Sequence, residues 1–299
     1  MNSQKPPTAD IRRRAADWLD PALYPFASHV LPLDMGRMHY IDEGGGPPIV
    51  AVHGNPAWSF LYRHLVSGLS GRFRCVAPDL IGFGLSDKPT HWSYRPEAHA
   101  ANFDRLLDHL GLDNVTLVGQ DWGGPIAFSW AVAHPERVRA LVIMNTWMWS
   151  VRGDPHYELF SRIVGGPVGR RLIRQYNLFV RVLMPVMFRG RFSASVRRHY
   201  EMPLARPADR IGCAVFPGEV IGSSDWLDGL WRKRERIRDK PALILWGLRD
   251  IAFRQKELER WRGAFSDPTV MCYPDAGHFV QEHLGPDLAP VIEAFLENH

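Results

Sequence analysis

Leu117-Val118-Gly119-Gln120-Asp121-Trp122-Gly123-Gly124 joins an apolar run, VTLVGQ from Val115, to a helical stretch, PIAFSWAVAHP from Pro125. A strand that passes straight into a helix through Gly-x-Asp-x-Gly has the pattern of a nucleophile elbow, with aspartate where serine commonly stands. Glycines on both sides let the backbone pack closely and tolerate strain at the central residue. A helix N-cap alone would also favour aspartate. A cap, however, requires neither flanking glycines nor a buried strand before it, so the reactive reading of Asp121 is the better one.

Outward from this segment the same alternation repeats. PIVAVHG from Pro48, RCVAPD from Arg74 and ALVIMN from Ala140 are short apolar runs ending in turn signals, as buried parallel strands do. HVLPL from His29 and MHYID from Met38 read as an antiparallel start. Helical stretches lie between the runs: WSFLYRHLVSGL, EAHAANFDRLLDHLG and PIAFSWAVAHP. Strand and helix in alternation predict a parallel sheet with right-handed crossovers. From Trp147 to Lys240 the strand pattern stops and Arg-rich amphipathic helices take over. It resumes with PALILWG from Pro241 and VMCYP from Val270. The expected organisation is therefore an α/β core over 1–146 and 241–299, with a helical cap over 147–240 and the binding pocket beneath it at the carboxyl ends of the strands.

The 299 residues are 45 % hydrophobic and 23 % charged, the balance of an ordinary globular chain large enough to bury its own core. Cys75, Cys213 and Cys272 are widely spaced and odd in number. This argues against a disulfide framework or a zinc site and predicts three small buried apolar residues. The opening MNSQKPPTADIRRR has no apolar segment of the kind a secretory signal needs, and no run is long enough to span a membrane, so a cytoplasmic protein is expected. Residues 148–240 hold eighteen basic and nine acidic side chains, the remainder eighteen and twenty-three. A solvated arginine-rich helical face explains this better than nucleic-acid or membrane binding, because no nucleic-acid motif accompanies it.

Aspartate at the elbow changes the chemistry. Attack on an ester or amide would form an anhydride, whereas displacement at an sp³ carbon gives an alkyl-enzyme ester. Hydrolysing that ester then requires a base and an oxyanion hole. His278, in a glycine turn after the last strand, is the candidate base, and the order Asp, Asp, His along the chain suits a triad. Asp250, in LILWGLRDIAF, is the candidate acid that orients it, although a turn or cap aspartate would also fit there. The other customary acid position, at the end of the strand before the insertion, holds Asn145, which cannot ionise. Asp79 and His53 read as structural residues of their loops. In HGNPAWSFLYR, from His53, the N–H of Asn55 can form an oxyanion hole with that of Trp122, and the two side chains offer neutral donors suited to a departing halide. The isomer of the bond before Pro56 is left open by the sequence. No metal or cofactor is called for.

HGNPAWSFLYR, APDLIGFGLSDKP, GQDWGGP, WGLRD and DAGHFVQE, in that order, resemble the haloalkane dehalogenases of the α/β-hydrolase superfamily. The resemblance implies an α/β-hydrolase fold, a mostly parallel eight-stranded sheet flanked by helices with an inserted helical cap. It implies Asp121 as nucleophile, His278 as base, Asp250 as acid, and Asn55 and Trp122 as halide ligands. An acid after the insertion with an Asn/Trp pair looks like the third subfamily, whose members self-associate, so a homo-oligomer is expected. The expected partners are a small apolar halogenated substrate and a halide ion, with no nucleic acid and no membrane. Candidate pocket walls are Trp147, Phe179, Phe216, Pro217 and Phe279. For Phe179 and Phe216, plain helix core is the competing reading. An epoxide hydrolase would share the aspartate but needs two cap tyrosines, and Tyr157, Tyr176 and Tyr200 lack that context. A fluoroacetate dehalogenase would place arginine where Trp122 stands. A non-catalytic binding protein and a luciferase-like oxygenase are the alternatives of another class.

Overall fold

The computed structural model describes residues 11–13, 15–189 and 192–299. Most of the polar opening segment lies outside these residues. Eight strands make one sheet: β1 (His29–Leu33), β2 (Gly36–Glu43), β3 (Pro48–Val52), β4 (Arg74–Pro78), β5 (Val115–Gln120), β6 (Val138–Met144), β7 (Ala242–Gly247) and β8 (Thr269–Tyr273). Their spatial order is β1-β2-β4-β3-β5-β6-β7-β8. β2 runs antiparallel to β1 and β4, and every other pair is parallel. Unbroken apolar runs are the strands covered on both faces: every residue of β5 and of β7 is buried.

β8 is the exception. It ends the sheet, its residues are exposed or half-buried, and Cys272 is consequently exposed, contrary to expectation. Only Cys75 and Cys213 are buried thiols.

The core helices are α1 (Arg63–Leu69), α2 (Pro96–His109) and α3 (Gly123–Ala133). Between β6 and β7 the described residues contain no strand. They form α4 (Pro155–Val164), α5 (Pro167–Tyr176), a π turn (Phe179–Leu183) leading into α6 (Met184–Phe188), α7 (Ala194–Glu201), α8 (Ile211–Gly222) and α9 (Ser224–Arg232). α10 (Gln255–Arg262), α11 (Val280–Leu284) and α12 (Leu288–Glu297) complete the chain. α4 starts at Asp154, whose carboxylate accepts from the His156 N–H, with Pro155 at the first helical position. α5 buries only Gly169 and Ile173, so its arginines face solvent. It ends where Asn177 takes a left-handed conformation, φ 55°.

The inserted helices are tied to the core where a tyrosine meets a buried ion pair. Arg63 on α1 donates two hydrogen bonds to Glu282 on α11, at 2.5 and 2.7 Å, and the Tyr200 hydroxyl of α7 donates to the same carboxylate. The side chains of Arg63 and Glu282 are only 6 % and 4 % exposed. Removing one partner leaves the other charge buried without compensation. Arg63→Met is therefore expected to lower unfolding stability by roughly 3–5 kcal/mol. Urea denaturation at neutral pH measures it, and a loss below about 1 kcal/mol would mean that water reaches Glu282 and the pair is dispensable.

Candidate active site

The elbow puts Asp121 in the left-handed region, at φ 51°. For a non-glycine residue this conformation costs energy, and the surroundings must hold it. The Asp121 N–H donates to Asn145 O at 3.1 Å, and the Thr146 hydroxyl donates to Asp121 O at 2.6 Å. Both partners follow β6, the strand next to β5, so the turn is fastened to its neighbour. Gly123 is required by close approach: a Cβ there would sit 1.9 Å from Val52 O. At Gly54 a Cβ would strike Asp121 Oδ1 at 2.2 Å. The glycines thus bring the β3 loop against the carboxylate, and the Asn55 N–H donates to Asp121 Oδ1 at 2.7 Å. The Asn55–Pro56 bond is cis.

His278 is fully buried behind this carboxylate. Its Nε2 lies 3.6 Å from Asp121 Oδ2, and its Nδ1 lies 2.8 Å from Asp250 Oδ2. The three residues singled out in the sequence therefore meet, although they come from the ends of β5, β7 and β8. Burial alone would lower the His278 pKa, but the Asp250 carboxylate, its hydrogen bond and the Asp121 charge outweigh it and raise the value. Burial raises the Asp121 pKa, opposed by the His278 imidazole and by the N–H groups of Trp122 and Asn55.

Two residues adjoin this group that the sequence reading did not place there. Asn145 donates from Nδ2 to Asp250 Oδ2 at 2.8 Å, while its Oδ1 accepts from the Gly247 N–H at 2.8 Å. The residue discounted as a non-ionisable acid thus holds the acid in place. Gln120 contacts His278 Nε2 at 2.8 Å through Nε2, which also donates to His278 O at 3.2 Å. A donor at Nε2 and an acceptor at Nδ1 select the tautomer protonated at Nδ1. The only sequence signal for either residue was its position at the end of a buried strand.

Above Asp121 lies a cavity of about 260 Å³. Trp147, Phe179 and Pro217 line it as expected, together with Asn55, Trp122 and a largely apolar set that includes Tyr157, Leu183 and Phe253. Phe216 and Phe279 do not. On α8 the residues facing the cavity are Pro217 and Val220. Phe216 turns inward, fully buried, and stacks on Trp122 at 5.3 Å between ring centroids. Phe279 packs edge-on against the His278 ring at 4.8 Å. Both back the site and are not walls of it. The Trp122 indole N–H has no protein acceptor among the described residues, so a neutral donor is available in an apolar chamber. His53 and Asp79 are structural: His53 Nδ1 meets Gly54 O and its Nε2 accepts from the Leu80 N–H, while Asp79 accepts from the N–H groups of Ser59 and Leu85. Among the described residues no cluster of His, Cys, Asp and Glu is placed to hold a metal ion.

Comparison with known proteins agrees with this geometry. Residues 47–167 match the model of the α/β hydrolase fold. Haloalkane dehalogenase 2 of Mycobacterium tuberculosis is 42 % identical over 92 % of this chain and 97 % of its own. A cis-3-alkyl-4-alkyloxetan-2-one decarboxylase of Xanthomonas campestris is 38 % identical over 88 % of this chain and 93 % of its own. The crystal structure of the haloalkane dehalogenase DatA from Agrobacterium tumefaciens C58 superposes with a TM-score of 0.81 at 29 % identity, covering 91 % of this chain and 96 % of that one. The fold and the elbow define an α/β hydrolase. Within that superfamily the chain belongs to the haloalkane dehalogenase family.

The contact between Asp250 and His278 has a measurable consequence. Asp250→Asn removes the largest influence that raises the His278 pKa, leaving burial to dominate. The His278 titration, followed by NMR of its ring protons, is expected to move to lower pH. A titration unchanged by the substitution would show that Asp250 does not set the charge of the imidazole.

Proposed function

We propose that this protein hydrolyses the carbon–halogen bond of small apolar alkyl halides through an ester on Asp121. The reading is carried by one observation: a carboxylate whose Oδ1 is bound by a backbone N–H and whose Oδ2 faces an imidazole opens into an apolar cavity with a free indole N–H. Asp121 Oδ2 attacks the halogen-bearing carbon, forming the C–O bond as the carbon–halogen bond breaks. The halide leaves with that electron pair against the N–H donors of Trp122 and Asn55. A halide needs no proton, so neutral donors suffice. His278 Nε2 then exchanges its contact with the Gln120 N–H for one with water and takes a proton from it, as the water oxygen adds to the Asp121 carboxyl carbon. The resulting oxyanion forms on Oδ1, where the Asn55 N–H already sits and the Trp122 N–H assists. Collapse expels the alcohol, which takes the proton from His278, and the Asp121 carboxylic acid left behind releases the second proton of the water to solvent, which regenerates the carboxylate. Asp250, held by Asn145, stabilises the imidazolium between these events.

The chamber argues for an uncharged substrate, because no arginine or lysine among the described residues lines it. It also argues against epoxide opening, which calls for a pair of cap tyrosines. Of the three cap tyrosines only Tyr157 lines the cavity; Tyr176 is exposed, and Tyr200 is bonded to Glu282. Self-association is part of the proposal, supported by Ile163, Val168 and Tyr176, apolar residues 60–73 % exposed on α4 and α5. So is a cytoplasmic setting, supported by three unpaired cysteines, while no described helix is long and apolar enough to cross a membrane.

Bromide release from short 1-bromoalkanes tests the function. Wild type is expected to turn over, Asp121→Asn to release nothing, and His278→Ala to release one bromide per site and stop. Parallel assays offer an epoxide and a cis-dialkyl oxetan-2-one. Turnover of either without bromide release would replace the proposed reaction. A pH profile adds a second test. Esterification removes the Asp121 charge, one of the influences that raise the His278 pKa. Where ester hydrolysis limits turnover, kcat should therefore fall on the acid side at a pH below the free enzyme's His278 titration. Coincident values would place the base elsewhere.

A further inference from the structure

Pro217 lies inside α8, where proline is normally excluded. It has no N–H to give the carbonyl four residues back, that of Cys213. Cys213 O is occupied instead by a side chain of the core: Asn55 Nδ2 donates to it at 3.4 Å, in a buried setting. The other end of the same amide, Asn55 Oδ1, is buried and has no partner among the described residues. Asn55 and Pro217 both line the cavity.

We infer that Pro217 is a positioning residue: by withholding the helical N–H it leaves the Cys213 carbonyl free to fix the hand of the Asn55 amide. A primary amide has two N–H donors and one oxygen at nearly equal size, so packing alone does not choose between its two orientations. The free carbonyl does. Rotating the amide by half a turn would set Oδ1 against Cys213 O, acceptor against acceptor. With one N–H held by Cys213 O, the second remains for a ligand in the cavity, and the oxygen is kept from the leaving group. An ordinary residue at 217 would donate to Cys213 O and draw that carbonyl back into the helix ladder, leaving the amide free to turn. The helix defect thus sets the polarity of a donor on a different part of the chain. This inference rests on the proposed dehalogenation, in which the Asn55 amide receives the halide.

The test uses the full chain with bromide as the probe, measured as product inhibition. Pro217→Val keeps apolar bulk and restores the N–H; Pro217→Ala restores the N–H with less bulk. Both are expected to weaken bromide binding about fivefold, the size of one neutral hydrogen bond. Their Tm should stay level or rise, since a helix-interior proline is removed. In an Asn55→Ala background the same substitutions should change bromide binding less than about twofold, because they act through an amide no longer present. Wild-type affinity in both variants would overturn the inference. So would a loss in the alanine variant alone, which would assign the effect to cavity volume, or an undiminished loss in the Asn55→Ala background. A wild type that releases no bromide would instead sink the dehalogenase reading, and that is seen before any Pro217 variant is made.

Discussion

A carboxylate must face a nearly dry chamber while remaining charged, and the architecture around Asp121 answers that requirement. Burial pushes its proton affinity up. Backbone N–H groups and a buried imidazole push it back down, and each depends on the left-handed turn at residue 121. Without that turn the side chain would follow the strand and miss both the β3 loop and His278. The strain is held by two hydrogen bonds to the residues after β6. A parallel sheet brings these strand ends side by side, which is why the site lies at their carboxyl edge.

Around the carboxylate the polar groups are few and each is directed. His278 is gripped at both nitrogens, by Asp250 and by Gln120, and Asp250 in turn by Asn145. Such a chain matters in a low-dielectric interior, where an unpaired polar group is costly and a paired one is rigid. Trp122 is held from behind: its ring stacks on Phe216 and meets Trp147 edge-on at 4.5 Å. The indole can therefore keep its N–H toward the cavity without a protein partner. The inserted helices supply the apolar walls, and the buried cluster of Arg63, Glu282 and Tyr200 anchors them over the strand ends.

What could be read along the chain was whatever the chain writes locally. The elbow carries its own glycines, the buried strands their unbroken apolar runs, and His278 its glycine turn. Asp121, His278, Asp250, Asn55 and Trp122 were legible because each sits in a short motif at a strand end, and the eight strands were legible as short apolar runs bounded by turn signals. The burial of Cys272 was misjudged because an edge strand and a central strand can have similar composition. Their difference is whether a neighbour covers them, which is a property of sheet order.

The sequence by itself determined that a carboxylate stands on a sharp strand-to-helix bend, and which residue types accompany it. Tertiary structure alone decided which side chains look into the chamber. Pro217 faces it and Phe216, one residue earlier, does not, because helix phase relative to a partner surface has no signature in the neighbouring residues. It alone turned Asn145 and Gln120 into supports for the acid and the base. A hydrogen bond between residues more than a hundred positions apart exists only once the strands carrying them lie in order, and that order is a matter of packing.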